Sequence, residues 1–291
     1  VRLLHARGAR TNVKATASWC TPLYVALHAG HQDCAAALIE AMISTGGGID
    51  EPAMDRSTPL FVASAKGMHT IVERLLANGA SVGQQRKDGG HPLWAACRES
   101  RGSEGDGHLK TVQHLLESSA DPDPRNGRPL FELCGTAIIP QEEASGRSAA
   151  LEKRAAIMGK LLDHRASPNA TAGKYPTSAL SCACGLESFD PIVKLLLQRG
   201  ADPSYSPAIN EPAMATTGNV PSSQAAPSGQ QPIGKQTDQT KRLLPPMGGS
   251  QAPPLWLASI NGRQSSVAML LEHGASVNAV RQCAPMTTPR S

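Results

Sequence analysis

The chain has 291 residues, 40% of them hydrophobic but only 3% aromatic, and a net charge of +4 from 28 Lys and Arg against 24 Asp and Glu. So little Phe, Tyr and Trp argues against a conventional enzyme core, and leaves Leu and Ala to fill thin layers of small helices. The absence of a long Lys/Arg run argues against a nucleic-acid footprint, and no apolar stretch reaches the ~18 residues of a membrane span.

Near the N-terminus, Arg2, Arg7, Arg10 and Lys14 interrupt any apolar core, so residues 1–20 do not read as a signal peptide. The chain starts at Val1, already inside a helical pattern, and is expected to be a piece of a longer protein. Its seven Cys, an odd and scattered set, point to a reducing compartment rather than a disulfide framework. The expected location is cytoplasmic, with the nucleus as the alternative.

Self-similarity organises the rest. Val1–Asn12 (VRLLHARGARTN) reads as the last half of a unit. Cys20–Glu40 (CTPLYVALHAGHQDCAAALIE) and Ser57–Gly83 (STPLFVASAKGMHTIVERLLANGASVG) follow, the second being the most regular. Degenerate copies occupy His91–Asp123, Arg128–Asn169 and Ser178–Ser204, and a regular one returns at Pro254–Ala279 (PLWLASINGRQSSVAMLLEHGASVNA). The starting leucines are Leu23, Leu60, Leu93, Leu130, Leu180 and Leu255. The interval from Leu60 to Leu93 is the basic period, and insertions lengthen the others.

The physics of one unit is legible in Ser57–Gly83. Thr58 is a good N-cap, and Pro59 is favoured at the first helical position. Leu60 and Ala63 face inward, and Gly67 predicts a left-handed stop. Ile71, Val72, Leu75 and Leu76 form the apolar face of a second helix that Gly79 ends, and both Leu75 and Leu76 are expected to be buried. The polar stretch beyond Gly79 is expected to form a hairpin. A pair this short cannot bury both apolar faces alone and must stack on neighbours.

The T-P-L-x-x-A, G-x-x-x-I-V-x-x-L-L-x-x-G-A and A-x-x-N pieces together resemble the ankyrin repeat family, over roughly residues 1–204 and 253–279. The resemblance implies an all-α solenoid of helix–turn–helix units joined by β-hairpin fingers, with about six units after the partial one. The units are expected at 1–13, 17–50, 54–83, 87–123, 125–169, 174–204 and 253–279, with 280–291 a tail or the start of a next repeat. Trp19 stands where a turn Gly is usual, and Ser119 and Arg165 stand where a helix-ending Gly is usual.

Insertions are expected at Glu99–Asp106 and roughly Thr136–Arg154, each between the two helices of its unit. Residues 205–252, rich in Pro, Gln, Ser and Gly, cannot bury a core and read as a disordered linker. Ile209–Met214 (INEPAM) resembles Ile49–Met54 (IDEPAM), so the linker reads as growth inside a finger. Within it, Lys241–Pro246 reads as solvated linker, with a short docking peptide as the alternative.

Candidate chemistry is thin. Cys182 and Cys184 form a C-x-C pair, and His28 and His31 an H-x-x-H. However, Cys97, Cys134 and Cys184 share one register in different repeats, a helix diameter of ~10 Å apart, whereas a zinc site needs sulfurs at ~2.3 Å from one metal. Small buried packing residues are expected, and His31 and His108 read as polar helix starts. No phosphate loop, catalytic triad or cofactor site is indicated, so no cofactor is expected and the chain reads as a non-enzyme.

Five aromatics, Tyr24, Phe61, Trp94, Phe131 and Trp256, directly follow a starting Leu. They read as inter-repeat packing, or as the lining of a groove. The resemblance implies partner contacts at hairpin tips and exposed first-helix ends: Met54, Asp55, Ser57, Ala65 and Lys66; then Lys87, Asp88, Arg98 and Glu99; then Ile260 and Asn261. Phe61 and Trp94 would supply the floor. The implied function is a non-catalytic protein–protein interaction scaffold with a protein partner, no nucleic acid and no membrane insertion. The alternative is the substrate-recruiting region of a larger enzyme, such as a ubiquitin ligase, acyltransferase or kinase.

Overall fold

A proline-led helix opens most of the units, and a side chain caps several of these first helices. In the computed structural model, which describes residues 11–14, 19–100, 106–124, 129–134, 144–172, 177–205 and 252–277, Thr21 Oγ1 accepts the Tyr24 N–H at 3.2 Å and Thr58 Oγ1 the Phe61 N–H at 3.2 Å. His91 Nδ1 accepts the Trp94 N–H at 3.3 Å, and Ser178 Oγ the Ser181 N–H at 3.1 Å. Each bond satisfies one of the amides that a helix start leaves orphaned.

These caps start α1 (Pro22–Ala29), α3 (Pro59–Ala65), α5 (Pro92–Glu99) and α9 (Ala179–Cys184); α7 (Pro129–Cys134) and α11 (Pro254–Ile260) are the other first helices. The second helices are α2 (Gln32–Thr45), α4 (His69–Ala77), α6 (Gly107–Glu117), α8 (Ala144–Asp163), α10 (Asp190–Gln198) and α12 (Gln264–Glu272). Gly67 carries φ of 64°, the left-handed stop expected of it, and Gly79, expected to end the second helix, is left-handed too at 84°. Trp19, Ser119 and Arg165 adopt the same conformation at 54°, 67° and 69° despite their side chains, at roughly 1–2 kcal/mol each.

Each helix packs against its counterpart in the next pair: α1 on α3, α3 on α5, α5 on α7, α7 on α9, α9 on α11, with the second helices following the same order. The result is an all-α solenoid with one continuous core. Leu23, Leu60 and Leu93 are fully buried within it, as are Ala63, Val72 and Leu75. Leu76, expected to be buried, is only half-buried, because the burial stripe of α4 runs through Ile71, Val72 and Leu75 and leaves Leu76 at its edge.

The fingers are mostly turns. A two-residue antiparallel pair, β1 (Thr171–Ala172) with β2 (Thr177–Ser178), forms where Thr171 faces Ser178. Finger two closes with Ala53 N–H donating to Ser57 O at 2.9 Å, and finger three with Arg86 N–H donating to Gly90 O at 2.8 Å.

The insertion expected over Thr136–Arg154 is corrected in part. Residues from Ala144 onward belong to α8, because ASGRSAALEKR is rich in Ala and straight-chain helix formers that extend the second helix backwards. Leu151 and Arg154 are buried on it, with Arg154 5.9 Å from the Phe189 ring. Of Glu99–Asp106, Glu99 ends α5 and Asp106 precedes α6, while 101–105 lie outside the described residues. The expected linker also lies outside them, except for Tyr205 and Ala252.

Direct bonds nevertheless join the pairs on either side of that stretch. Ser266 Oγ donates to Asp190 Oδ1 at 2.9 Å, Ser276 N–H donates to Ser204 Oγ at 2.8 Å, and Arg263 lies 3.4 Å from Glu187. Among the described residues, no helix is long and apolar enough to cross a membrane.

Leu75→Ala is expected to cost about 2–5 kcal/mol in urea unfolding; a loss under about 1 kcal/mol would show that the stripe is misplaced. Deleting residues 215–250 leaves more chain than the regular finger between Gly79 and Pro92 uses, and loop closure depends weakly on length. The melting temperature is therefore expected to move by less than about 4 °C, and calorimetry on the deletion variant checks it.

Candidate functional site

The second and third units share a regular period, and their fingers are tied together at the tips. Lys87 N–H donates to Asp55 O at 3.0 Å. Arg86 lies 3.4 Å from both the Asp55 and the Asp88 carboxylates, and its guanidinium covers the Phe61 ring at 5.0 Å. Asp55 also accepts the backbone N–H and the hydroxyl of Ser57. Burial works to raise the Asp55 pKa, but the Ser57 hydrogen bonds and the Arg86 charge outweigh it and hold the carboxyl below its ordinary value.

Behind the fingers, each early member of the aromatic register reaches forward to the next unit. Tyr24 Oη and Ser57 Oγ share a hydrogen bond of 3.1 Å. Phe61 receives Arg86. Trp94 Nε1–H donates to Glu132 Oε1 at 3.2 Å while Arg98 lies over its ring at 5.0 Å and 3.7 Å from Glu99. A Cβ on Gly90 would come within 2.8 Å of the Trp94 ring, so the ring fills space that glycine leaves. Phe131 and Trp256 are half-buried. Inter-repeat tying is thus a role these rings have. Among the described residues the ring stack is Tyr24 on His28 at 6.2 Å, not one register ring on the next.

The expected contact positions divide. Met54 is 62% exposed, and Lys66, Lys87, Asp88, Arg98 and Glu99 are exposed as well. Asp55, Ala65 and Trp94 are half-buried beside them. Ser57 is buried, its hydroxyl taken by Tyr24 and Asp55, so its expected surface position is corrected. Phe61 is 7% exposed and lies under Arg86, a floor already covered. Ile260 is exposed and Asn261 half-buried, its amide donating to Leu257 O at 2.8 Å; the fourth and fifth pairs separate both from the rest.

Sequence reasoning missed Arg86 and Glu132, because their roles come from the neighbouring unit. It also missed that two histidines are buried: His91, and His108, which read only as a polar helix start. His108 Nε2–H donates to Ala65 O at 3.0 Å, while Nδ1 packs against Gly67, where a Cβ would come within 2.7 Å of it. Burial lowers its pKa against the opposing Ala65 and Glu99 contributions. His91 is 5% exposed, and burial pushes its pKa from 6.5 down to about 4 despite the Asp121 charge. Its ring is therefore neutral, with Nδ1 free to accept the Trp94 amide.

Cys97, Cys134 and Cys184 are fully buried, in line with a packing role, and burial raises all three thiols, Cys184 to about 12. Among the described residues, no group of three or more His, Cys, Asp or Glu side chains could hold a metal ion.

The family model for ankyrin repeats in three copies matches residues 1–86 and 43–126, and the single ankyrin repeat model matches 252–282. The chain belongs to the ankyrin repeat family. Its ankyrin repeats are similar to those of mouse ankyrin repeat and SOCS box protein 16, 34% identical over 160 residues, covering 51% of this chain and 31% of that protein. They are also similar to ankyrin repeat and KH domain-containing protein mask-1 of Caenorhabditis elegans, 33% identical over 133 residues, 46% of this chain and 5% of that protein. The chain thus spans under a third of these relatives. The crystal structure of the human ASB11 ankyrin repeat domain shares the fold, with a TM-score of 0.58, 19% identity, and coverage of 92% of this chain and 93% of that one. Ankyrin repeats are protein–protein interaction modules, which fits a surface of tied fingers and exposed helix ends.

His91 yields a pH dependence. Its folded pKa lies below its unfolded value, so the unfolded chain binds the proton first. The stability held by the neutral cap is whole above about pH 6.5 and is lost as pH falls toward about 4. Between pH 7 and pH 5 the wild type is expected to lose about 2 kcal/mol more than His91→Thr, which restores the hydroxyl cap seen at Thr58. Parallel urea titrations at the two pH values check this, and equal losses would remove His91 as the cause.

Proposed function

We propose that this chain is a non-catalytic interaction scaffold that holds a protein partner on its concave face, centred on the second and third units. The observation that carries the reading is the Trp94 clamp. Its half-buried ring is bonded to Glu132 and covered by Arg98, and the same two units expose Met54, Lys66, Lys87 and Asp88. Aromatic and Arg anchors fixed before binding are the groups that concentrate interface energy. Ile260 and Asn261 form a second, separate contact zone in this reading. The free cysteines fit a cytoplasmic or nuclear site of action.

A second reading has support from the names of the relatives, which join ankyrin repeats to a SOCS box or a KH domain. In that reading this array recruits a substrate for a larger enzyme, of which a ubiquitin ligase is one form. The sequence flanking residues 1–291 discriminates the two readings.

Trp94→Ala and Arg98→Ala are each expected to weaken binding of the affinity-purified partner by more than about 1 kcal/mol. Charge reversal at Glu73 and Arg74, exposed on α4, is expected to change it by less than about 0.5 kcal/mol. Titration calorimetry with a melting curve on each variant separates binding from folding. Normal binding by Arg98→Ala together with loss on the α4 reversal would sink the concave-face reading.

A further inference from the structure

Over the finger and first-helix segments 54–66 and 86–99, five cations (Arg56, Lys66, Arg86, Lys87 and Arg98) outnumber three acids (Asp55, Asp88 and Glu99). Asp55 and Asp88 both face Arg86, Glu99 faces Arg98, and Glu51 is bonded to Lys14 at 2.6 Å. Arg56, Lys66 and Lys87 are exposed and enter no ion pair among the described residues. Arg86 is shared by two acids, so the excess over these segments is two positive charges, carried where Arg56, Lys66 and Lys87 have no acid partner among the described residues.

Their placement gives two poles. Arg56 and Lys87 share the joined fingertips, where Lys87 N–H meets Asp55 O. Lys66 caps the far end of α3, a seven-residue helix that rises about 10 Å at ~1.5 Å per residue. The half-buried Trp94 and exposed Met54 supply the apolar surface of the same strip. An extended chain advances ~3.3 Å per residue, so about three residues run the length of α3.

We propose that this strip docks an extended acidic segment of a partner protein, with carboxylates about three residues apart and an apolar side chain between them to meet Trp94. The proposal rests on the concave-face reading and adds the chemistry of the occupant. Complementary charge at this spacing would steer encounter and fix the register of the segment. A nucleic acid fits less well. Its phosphates repeat without a break, about one charge per 1.7 Å of duplex, whereas the unpaired cations of this strip fall at two separate places, the fingertips and the end of α3.

The test uses the full chain as bait for a randomised peptide library, with a thymidine oligonucleotide as a competing probe. Enriched peptides are expected to carry Asp or Glu about three residues apart around an apolar residue, and their binding is expected to weaken as salt rises. Lys66→Glu with Lys87→Glu is expected to weaken them about fivefold or more, while Lys160→Glu with Lys194→Glu, the same charge change on exposed second-helix positions, leaves them within about twofold.

Enrichment of neutral or basic peptides that Trp94→Ala releases would overturn the acidic occupant and leave the concave-face reading standing. Peptides indifferent to both Trp94→Ala and the Lys66 and Lys87 reversals would overturn both. Equal loss in the two lysine pairs, no enrichment, or preferential capture of the oligonucleotide would also overturn the acidic-segment proposal.

Discussion

No helix pair in this chain can bury both of its apolar faces, and everything else in the structure follows from the stacking that resolves this. Leu60, Val72 and Leu75 are fully buried because the units on both sides cover them. At the sixth pair the equivalent Leu255 and Val267 are half-buried, and Leu271, the counterpart of half-buried Leu76, is 44% exposed, while Leu270, the counterpart of Leu75, stays buried. Burial is thus a property of position in the stack as much as of residue type. Because stacking consumes the faces between units, the fingertips and the first-helix ends are left free for other contacts.

Polar ties then fix the units against one another. Tyr24 with Ser57, Trp94 with Glu132, His108 with Ala65 and Lys87 with Asp55 each join one unit to the next. Apolar packing alone tolerates sliding, whereas a hydrogen bond between buried groups is costly to leave unmade. The same ties hold Trp94, Arg86 and Asp55 in place before any partner arrives. The inter-repeat ties and the candidate binding surface are therefore largely the same residues.

The departures from a regular repeat follow the same logic. His91 replaces the capping hydroxyl and still caps, but only as a neutral ring, so it imports a titration that Thr58 lacks. Arg56, Ser119 and Arg165 take left-handed conformations without glycine, strain that the packed helices on either side hold in place. The part of the fourth unit's insertion from Ala144 onward extends α8, so extra sequence between helices can be absorbed as added helix.

The sequence by itself determined the helix pairs, their caps and stops, and the register of the inward leucines, because these depend on local chemistry at fixed spacing. Thr58-Pro59, Gly67 and Gly79 each act within a few residues of themselves. It also brought the row of Tyr24, Phe61 and Trp94 to notice, but not what each ring touches. Only the tertiary structure decided that Ser57 is buried, that Leu76 lies at the stripe's edge, and that Arg86 bridges two acids above Phe61. Those outcomes depend on the neighbouring unit, a full repeat away in sequence and in direct contact in space. A pattern read along one chain segment cannot contain the side chains that the stack brings against it.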